Sequence, residues 1–164
     1  MTQLTLSYPI LPPSENHIRQ IRWVRDQRGK PKAAGMCYTP EAEGYKRTFR
    51  DYVRTNYFVA VQKFRKQHKP YDVYVLRMLF YFPPDLILNK GWLKKGKSRA
   101  KTPYKKMDVG NRRKLLEDAF SESIDIDDSL NFGVEQYKFV SPEEPRVDLI
   151  LEKEDPHSFG IPDA

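Results

Sequence analysis

The patterning of the chain predicts an α/β fold of the α+β type, a mixed β-sheet packed by two main helices in a single domain. Three observations carry that expectation. Four stretches, Thr2–Ile10, Tyr71–Phe82, Leu130–Val140 and Arg146–Glu152, have the alternating or continuously apolar character of strands. Two others, Thr39–Phe64 and Asn111–Phe120, repeat apolar residues at three and four positions, as amphipathic helices do. The length, 164 residues, suits one domain with one core.

Taken in order, Thr2–Ile10 reads as a strand stopped by Leu11-Pro12-Pro13. Arg19–Arg25 and Ala33–Tyr38 form a hairpin across Asp26–Lys30, strongly basic through Arg19, Arg22, Arg25, Arg28, Lys30 and Lys32. Thr39 then caps one long helix, with Pro40 at its first position and Glu41 and Glu43 in its first turn. Its apolar stripe is Tyr45, Phe49, Tyr52, Val53, Ala60, Val61 and Phe64, while Arg47, Arg50 and Arg54 make a solvated row. Tyr71–Phe82 is apolar on both alternating faces, which marks a central strand, and Pro83-Pro84 ends it. A basic loop occupies residues 86–106; from Lys90 onward it holds eight basic residues, no acidic ones, and Trp92. Leu130–Val140 and Arg146–Glu152 are strands around the turn Ser141–Pro145, and residues 153–164 form a loose tail.

Charge narrows the partners. Lys and Arg number 29 against 22 Asp and Glu, a formal charge of +7, which favours polyanions. Cys37 is the single cysteine, so an internal disulfide is excluded and a structural zinc site is not expected. No apolar run is long enough to span a bilayer and the start of the chain lacks an export pattern, so no membrane partner and a cytoplasmic location are expected.

Within this basic chain lies an acidic cluster. Asp108 precedes the second helix, whose Asn111, Lys114 and Asp118 share one face while Leu115, Leu116, Ala119 and Phe120 supply the buried one. A short return then leads to Asp125, Asp127 and Asp128. Carboxylates gathered without Cys or His suit a hard cation such as Mg²⁺ or Mn²⁺.

These residues resemble the RusA family of Holliday-junction resolvases, whose pattern is Asp-x-Asp-Asn-x-x-Lys, an Asp four residues later, then Asp-Asp before a strand. Asp108, Asn111, Lys114, Asp118 and Asp127-Asp128 match it, as does Pro12-Pro13-Ser14-x-Asn16 after the first strand, and the similarity spans residues 9–152. Gly110 departs from it, standing where the family has its second Asp. The resemblance implies a homodimeric, Mg²⁺-dependent endonuclease that hydrolyses branched DNA, with the nuclease domain over residues 1–152. Asp108, Lys114 and Asp128 would be catalytic; Asp108 and Asp128 would hold the metal, with Asp127 the candidate for the missing ligand. Asn111 and Asp118 would orient these groups. Arg19, Arg22, Lys94, Lys95, Lys97, Arg99, Lys101, Lys105 and Lys106 would meet DNA. A DNA-binding protein that has lost metal chemistry through Gly110, and a nuclease preferring flaps or forks, are the alternatives.

Overall fold

The computed structural model describes residues 3–13, 18–88 and 110–161. In chain order it runs β1 (Gln3–Tyr8), β2 (Arg19–Arg25), β3 (Pro31–Tyr38), α1 (Pro40–Asn56), α2 (Phe58–Arg65), β4 (Val73–Phe82), a single turn α3 (Pro84–Ile87), α4 (Gly110–Ile124), β5 (Asn131–Val140) and β6 (Arg146–Glu154). Four strands form a mixed sheet in the order β1-β6-β4-β5, and β2 pairs with β3 as a separate ribbon. The expected α/β class, mixed sheet and single domain are all present.

Alternation along β4 builds the core. Tyr74, Leu76, Met78, Phe80 and Phe82 are buried on the helix side, where Val147, Leu149 and Leu151 of β6 sit opposite Phe80, Met78 and Leu76. Leu4, Leu6 and Tyr8 of β1 extend the same layer, because they pair with Leu151, Leu149 and Val147. Against it lie Tyr45, Phe49 and Val53 of α1 and Leu115, Leu116, Ala119 and Phe120 of α4. Tyr8 fits among the rings of Tyr45, Phe49 and Tyr52, each in an edge arrangement at 5.7, 4.9 and 5.0 Å.

The start of α1 has a local cause and its end a long-range one. The Thr39 hydroxyl accepts from the Ala42 amide at 3.2 Å, with Pro40 following at the first position, as the sequence requires. The expected single helix to Phe64 is instead broken at Tyr57, whose hydroxyl is held at β1: it donates to Ser7 O at 3.2 Å and accepts from Ser7 N at 3.0 Å. Anchoring that ring bends the chain, and α2 restarts at Phe58.

The expected strands at Leu130–Val140 and Arg146–Glu152 are found, but they do not pair with each other. β5 runs parallel to β4 and β6 antiparallel to its other edge. The link 141–145 passes the end of β4, where Ser141 N donates to Phe82 O at 2.9 Å, and so steps over one strand spacing on each side. β6 also continues to Glu154, and the start of the segment expected as a loose tail is a 3₁₀ turn, Pro156–Phe159, capped by the Asp155 carboxylate on His157 N. Phe159 packs on Phe132 at 5.5 Å, which gives that turn an apolar anchor. Of the basic loop, Ile87 is buried within α3, and residues 89–109 lie outside the described set.

Gly133 stands where the β4–β5 register shifts: Tyr74 faces Asn131 but Val75 faces Gly133, so Phe132 is the extra residue. A Cβ at 133 would meet Val75 Cγ2 at 3.0 Å, so the valine would have to give way to admit a side chain.

Phe80 is fully buried beneath both helices. Phe80→Ala is expected to lower stability by about 3–5 kcal/mol in urea unfolding, while an equal truncation at the exposed Val59 changes it little.

Candidate active site

The end of α4 redirects the chain by ordinary helix-termination chemistry. Asp125 takes φ 55°, the left-handed region, and Ile126 N then donates back to Ser121 O at 3.3 Å while the Ile126 side chain is buried. Next, Asp127 caps the 3₁₀ turn Asp128–Leu130 by accepting from Ser129 N at 2.8 Å. The Ser129 hydroxyl first, and this amide after it, hold the Asp127 carboxyl below its ordinary value. The chain thus re-enters the sheet at Asn131 with Asp128 facing α4.

Lys114 occupies the corner so formed. Its Nζ lies 2.6 Å from Asp128 Oδ2 and 2.9 Å from Asp118 Oδ1, one helical turn on. The Asp128 hydrogen bond first, then Asp118, lift its ammonium well above the ordinary lysine range despite the cost of burial. Lys114 is therefore a fixed cation and not a proton acceptor. Asp118 also accepts from the Tyr38 hydroxyl through its second oxygen. The Tyr38 ring lies under Lys46 Nζ at 5.1 Å and the Arg19 guanidinium at 5.7 Å, and Lys46 pairs with Glu122 at 2.5 Å.

The carboxylates open on a cleft of about 520 Å³ lined by Asp118, Ser121, Glu122, Asp125, Ile126, Asp127 and Asp128. Its donors are carboxylate and hydroxyl oxygens, with no thiol or imidazole, which is the chemistry of a hard divalent cation. Among the described residues, no three His, Cys, Asp or Glu side chains converge closely enough to hold a metal by themselves.

Of the residues singled out from sequence, the fold brings Lys114, Asp118 and Asp128 into contact and puts Asp127 on the same cleft, its carboxylate engaged as a cap. Arg19 reaches the site through Tyr38; Arg22 lies further along the ribbon. Asn111 is in the first turn of α4, its side chain outside the described set. Asp108 and the basic Lys94, Lys95, Lys97, Arg99, Lys101, Lys105 and Lys106 also fall outside it. One further link is visible: Arg112 donates to Pro12 O at 2.9 Å, so the segment opening Pro12-Pro13-Ser14 meets the start of α4 across 100 residues of sequence. Tyr38, 80 residues from Asp118, was invisible to sequence reasoning because no periodicity links a ribbon end to a helix.

Burial first, and the Asp118 hydrogen bond and charge after it, push the Tyr38 phenol from 10.0 up to about 12, against the pull of Arg19. A phenol raised in the folded state contributes stability that is whole below pH 10.0 and lost as the pH climbs to about 12. Asp118→Asn should move the Tyr38 titration, followed by its ¹³Cζ resonance, down towards 10.0 and narrow that window from above.

The geometry agrees with the outcome of comparison. No curated protein matches the chain, but a family model described as endodeoxyribonuclease RusA matches residues 20–152, from the ribbon through β6. The matched span leaves out the Pro12-Pro13-Ser14-x-Asn16 motif and contains the whole acidic cluster. The chain belongs to the RusA endodeoxyribonuclease family, whose members are divalent-metal-dependent endonucleases that resolve Holliday junctions.

Proposed function

We propose that the protein is a Mg²⁺-dependent crossover-junction endodeoxyribonuclease that works as a homodimer, with the corner formed by Lys114, Asp118 and Asp128 at its active site. The observation that carries this reading is the Lys114 ammonium held between two carboxylates at the mouth of an acidic cleft, in a chain otherwise rich in cations.

Phosphodiester hydrolysis builds negative charge on the phosphoryl oxygens, and a cation fixed before the reaction stabilises that charge without reorganising. Lys114 is such a group. Asp118, tied to both Lys114 and Tyr38, sets its position, and Asn111 shares that orienting work. Asp108 and Asp128 would hold the Mg²⁺, with Asp127 the candidate for the ligand that Gly110 lacks, and Mn²⁺ serves the same oxygen set. When bound, the ion neutralises phosphate charge and eases deprotonation of the attacking water. Asp128 can serve Lys114 through one oxygen and still present the other, since a carboxylate has about four lone-pair sites. Arg19, Arg22 and the lysines and arginine of residues 94–106 would neutralise DNA phosphates.

A junction binder without metal chemistry is the second reading, favoured by Gly110 and by the Asp127 carboxylate being engaged as a cap. Cleavage of a labelled four-way junction in Mg²⁺, compared with EDTA, separates the two. Asp108→Asn and Asp128→Asn should abolish cleavage and leave junction binding within about threefold, whereas Lys114→Ala should slow cleavage by about a hundred- to a thousandfold. Full cleavage by either Asn variant refutes the metal assignment.

A junction is cut at two symmetric places while each chain carries one acidic cluster, so two chains about a two-fold axis are required. β5 supports a place for that interface: it is an edge strand with Phe132, Tyr137, Phe139 and Val140 exposed. Light scattering should give twice the chain mass, and a dimer with one Asp108→Asn subunit should nick junctions without resolving them. Paired cuts by a monomer would rule the arrangement out.

A further inference from the structure

We propose that one face of the β2–β3 ribbon is a docking surface for unstacked bases at a DNA branch, with the Trp23 ring as the stacking group and Ile21 and Met36 beside it. This rests on the junction-nuclease reading above and adds how the branch itself is recognised.

Alternation along β2, which carries no extra residue, puts Arg19, Ile21, Trp23 and Arg25 on one face; the pairing sets Tyr38 opposite Arg19 and Met36 opposite Ile21, and after a bulge that leaves Ala34 of β3 unpaired it sets Ala33 opposite Trp23. Trp23 is 62% exposed, Met36 62% and Ile21 51%. The ribbon is not covered among the described residues: all of β2 is exposed, and β3 becomes half-buried at Cys37 and Tyr38, where it joins the body. A two-stranded ribbon that leaves a tryptophan, an isoleucine and a methionine in water is marginal alone, so this face is built to meet something.

Charge decides what it meets. Arg19, Arg22, Arg25, Arg28, Lys30 and Lys32 face one acid, Asp26, and that carboxylate is used in the turn, accepting from Arg28 N at 2.9 Å and Lys30 N at 2.8 Å. Two such ribbons brought together would place like charges side by side, which disfavours a second copy as the occupant, whereas a polyanion is attracted to the same set. Intact duplex offers phosphates but hides the flat faces of its bases. A crossover interrupts the stack and so exposes the faces of the base pairs that flank it, and aromatic stacking accepts any base because each has a π face.

Continuity with the acidic site fixes the distance. Tyr38, at the base of this face, donates to Asp118, and Trp23 stands four strand residues beyond the level of Tyr38, about 13 Å away. That corresponds to about four stacked nucleotides. The stacking face and the acidic site are thus joined through one residue, Tyr38, which ends the ribbon and bonds to Asp118.

The test uses the full chain, a labelled four-way junction, a duplex of the same sequence and Ca²⁺ in place of Mg²⁺. Trp23→Ala should weaken junction binding about ten- to a hundredfold and duplex binding less than threefold, with the salt slope unchanged. Trp23→Phe should restore most of the difference. 2-Aminopurine at the branch should be quenched by the unaltered chain and not by Trp23→Ala. Trp23 is largely exposed, so circular dichroism and Tm should match the unaltered chain. Equal losses on both DNAs, no loss, or unaltered quenching would overturn the proposal. So would a Trp23→Ala chain that turns monomeric in light scattering with quenching intact, which would make the face an interface between copies. If the unaltered chain shows no preference for junctions, both this proposal and the reading beneath it fall; a junction preference insensitive to Trp23 removes this one alone.

Discussion

Parallel pairing of β4 with β5 is the constraint from which the rest of the structure follows. Two parallel strands in one sheet cannot be joined by a tight turn, so the chain must leave the end of β4, travel back along the sheet and re-enter beside its start. That return includes α4, whose Leu115, Leu116, Ala119 and Phe120 must be apolar to lie on the sheet, and whose opposite face is then free to carry Lys114 and Asp118. Re-entry into β5 supplies Asp128. The active-site corner is thus the point where the crossover rejoins the sheet.

Electrostatics within the cluster follow a matching logic. Carboxylates set close together repel, and the fold sets cations against four of them: Lys114 for Asp118 on its own helix and for Asp128 beyond it, Lys46 for Glu122, and Arg65 for Asp125. The exposed pairs among these contribute little to stability. Their effect is to hold an acidic concavity open within a chain of net charge +7, so that a polyanion drawn by the surrounding cations finds oxygen donors at one place.

Much of this was legible in the sequence because local rules set it. Thr39-Pro40 marks a helix start by cap chemistry alone, and the spacing of Lys114 and Asp118 is helical geometry. The doubly apolar run expected at Tyr71–Phe82 had to be interior, as it is from Val73 onward, with Tyr71 left exposed in the turn before the strand, and the Asp, Asn, Lys and Asp order identified the family. What escaped reading was long-range. Nothing local shows that β4 inserts between β5 and β6, that Tyr57 breaks the first helix by bonding to Ser7, or that Tyr38 ends at Asp118. Three neighbouring aspartates of equal appearance took three jobs, an ion pair for Asp125, a cap for Asp127 and the lysine contact for Asp128, because backbone turns and not residue type set their directions.

Gly133 shows how closely sheet and chemistry are joined. It lies five positions beyond Asp128, pressed against Val75 beside the bulged Phe132. The same short stretch that seats β5 against β4 follows directly on Asp128, whose carboxylate meets Lys114. A strand that forgoes a methyl group at its third residue can lie close against its neighbour, and the sheet becomes the gauge block from which the chain entering it is measured.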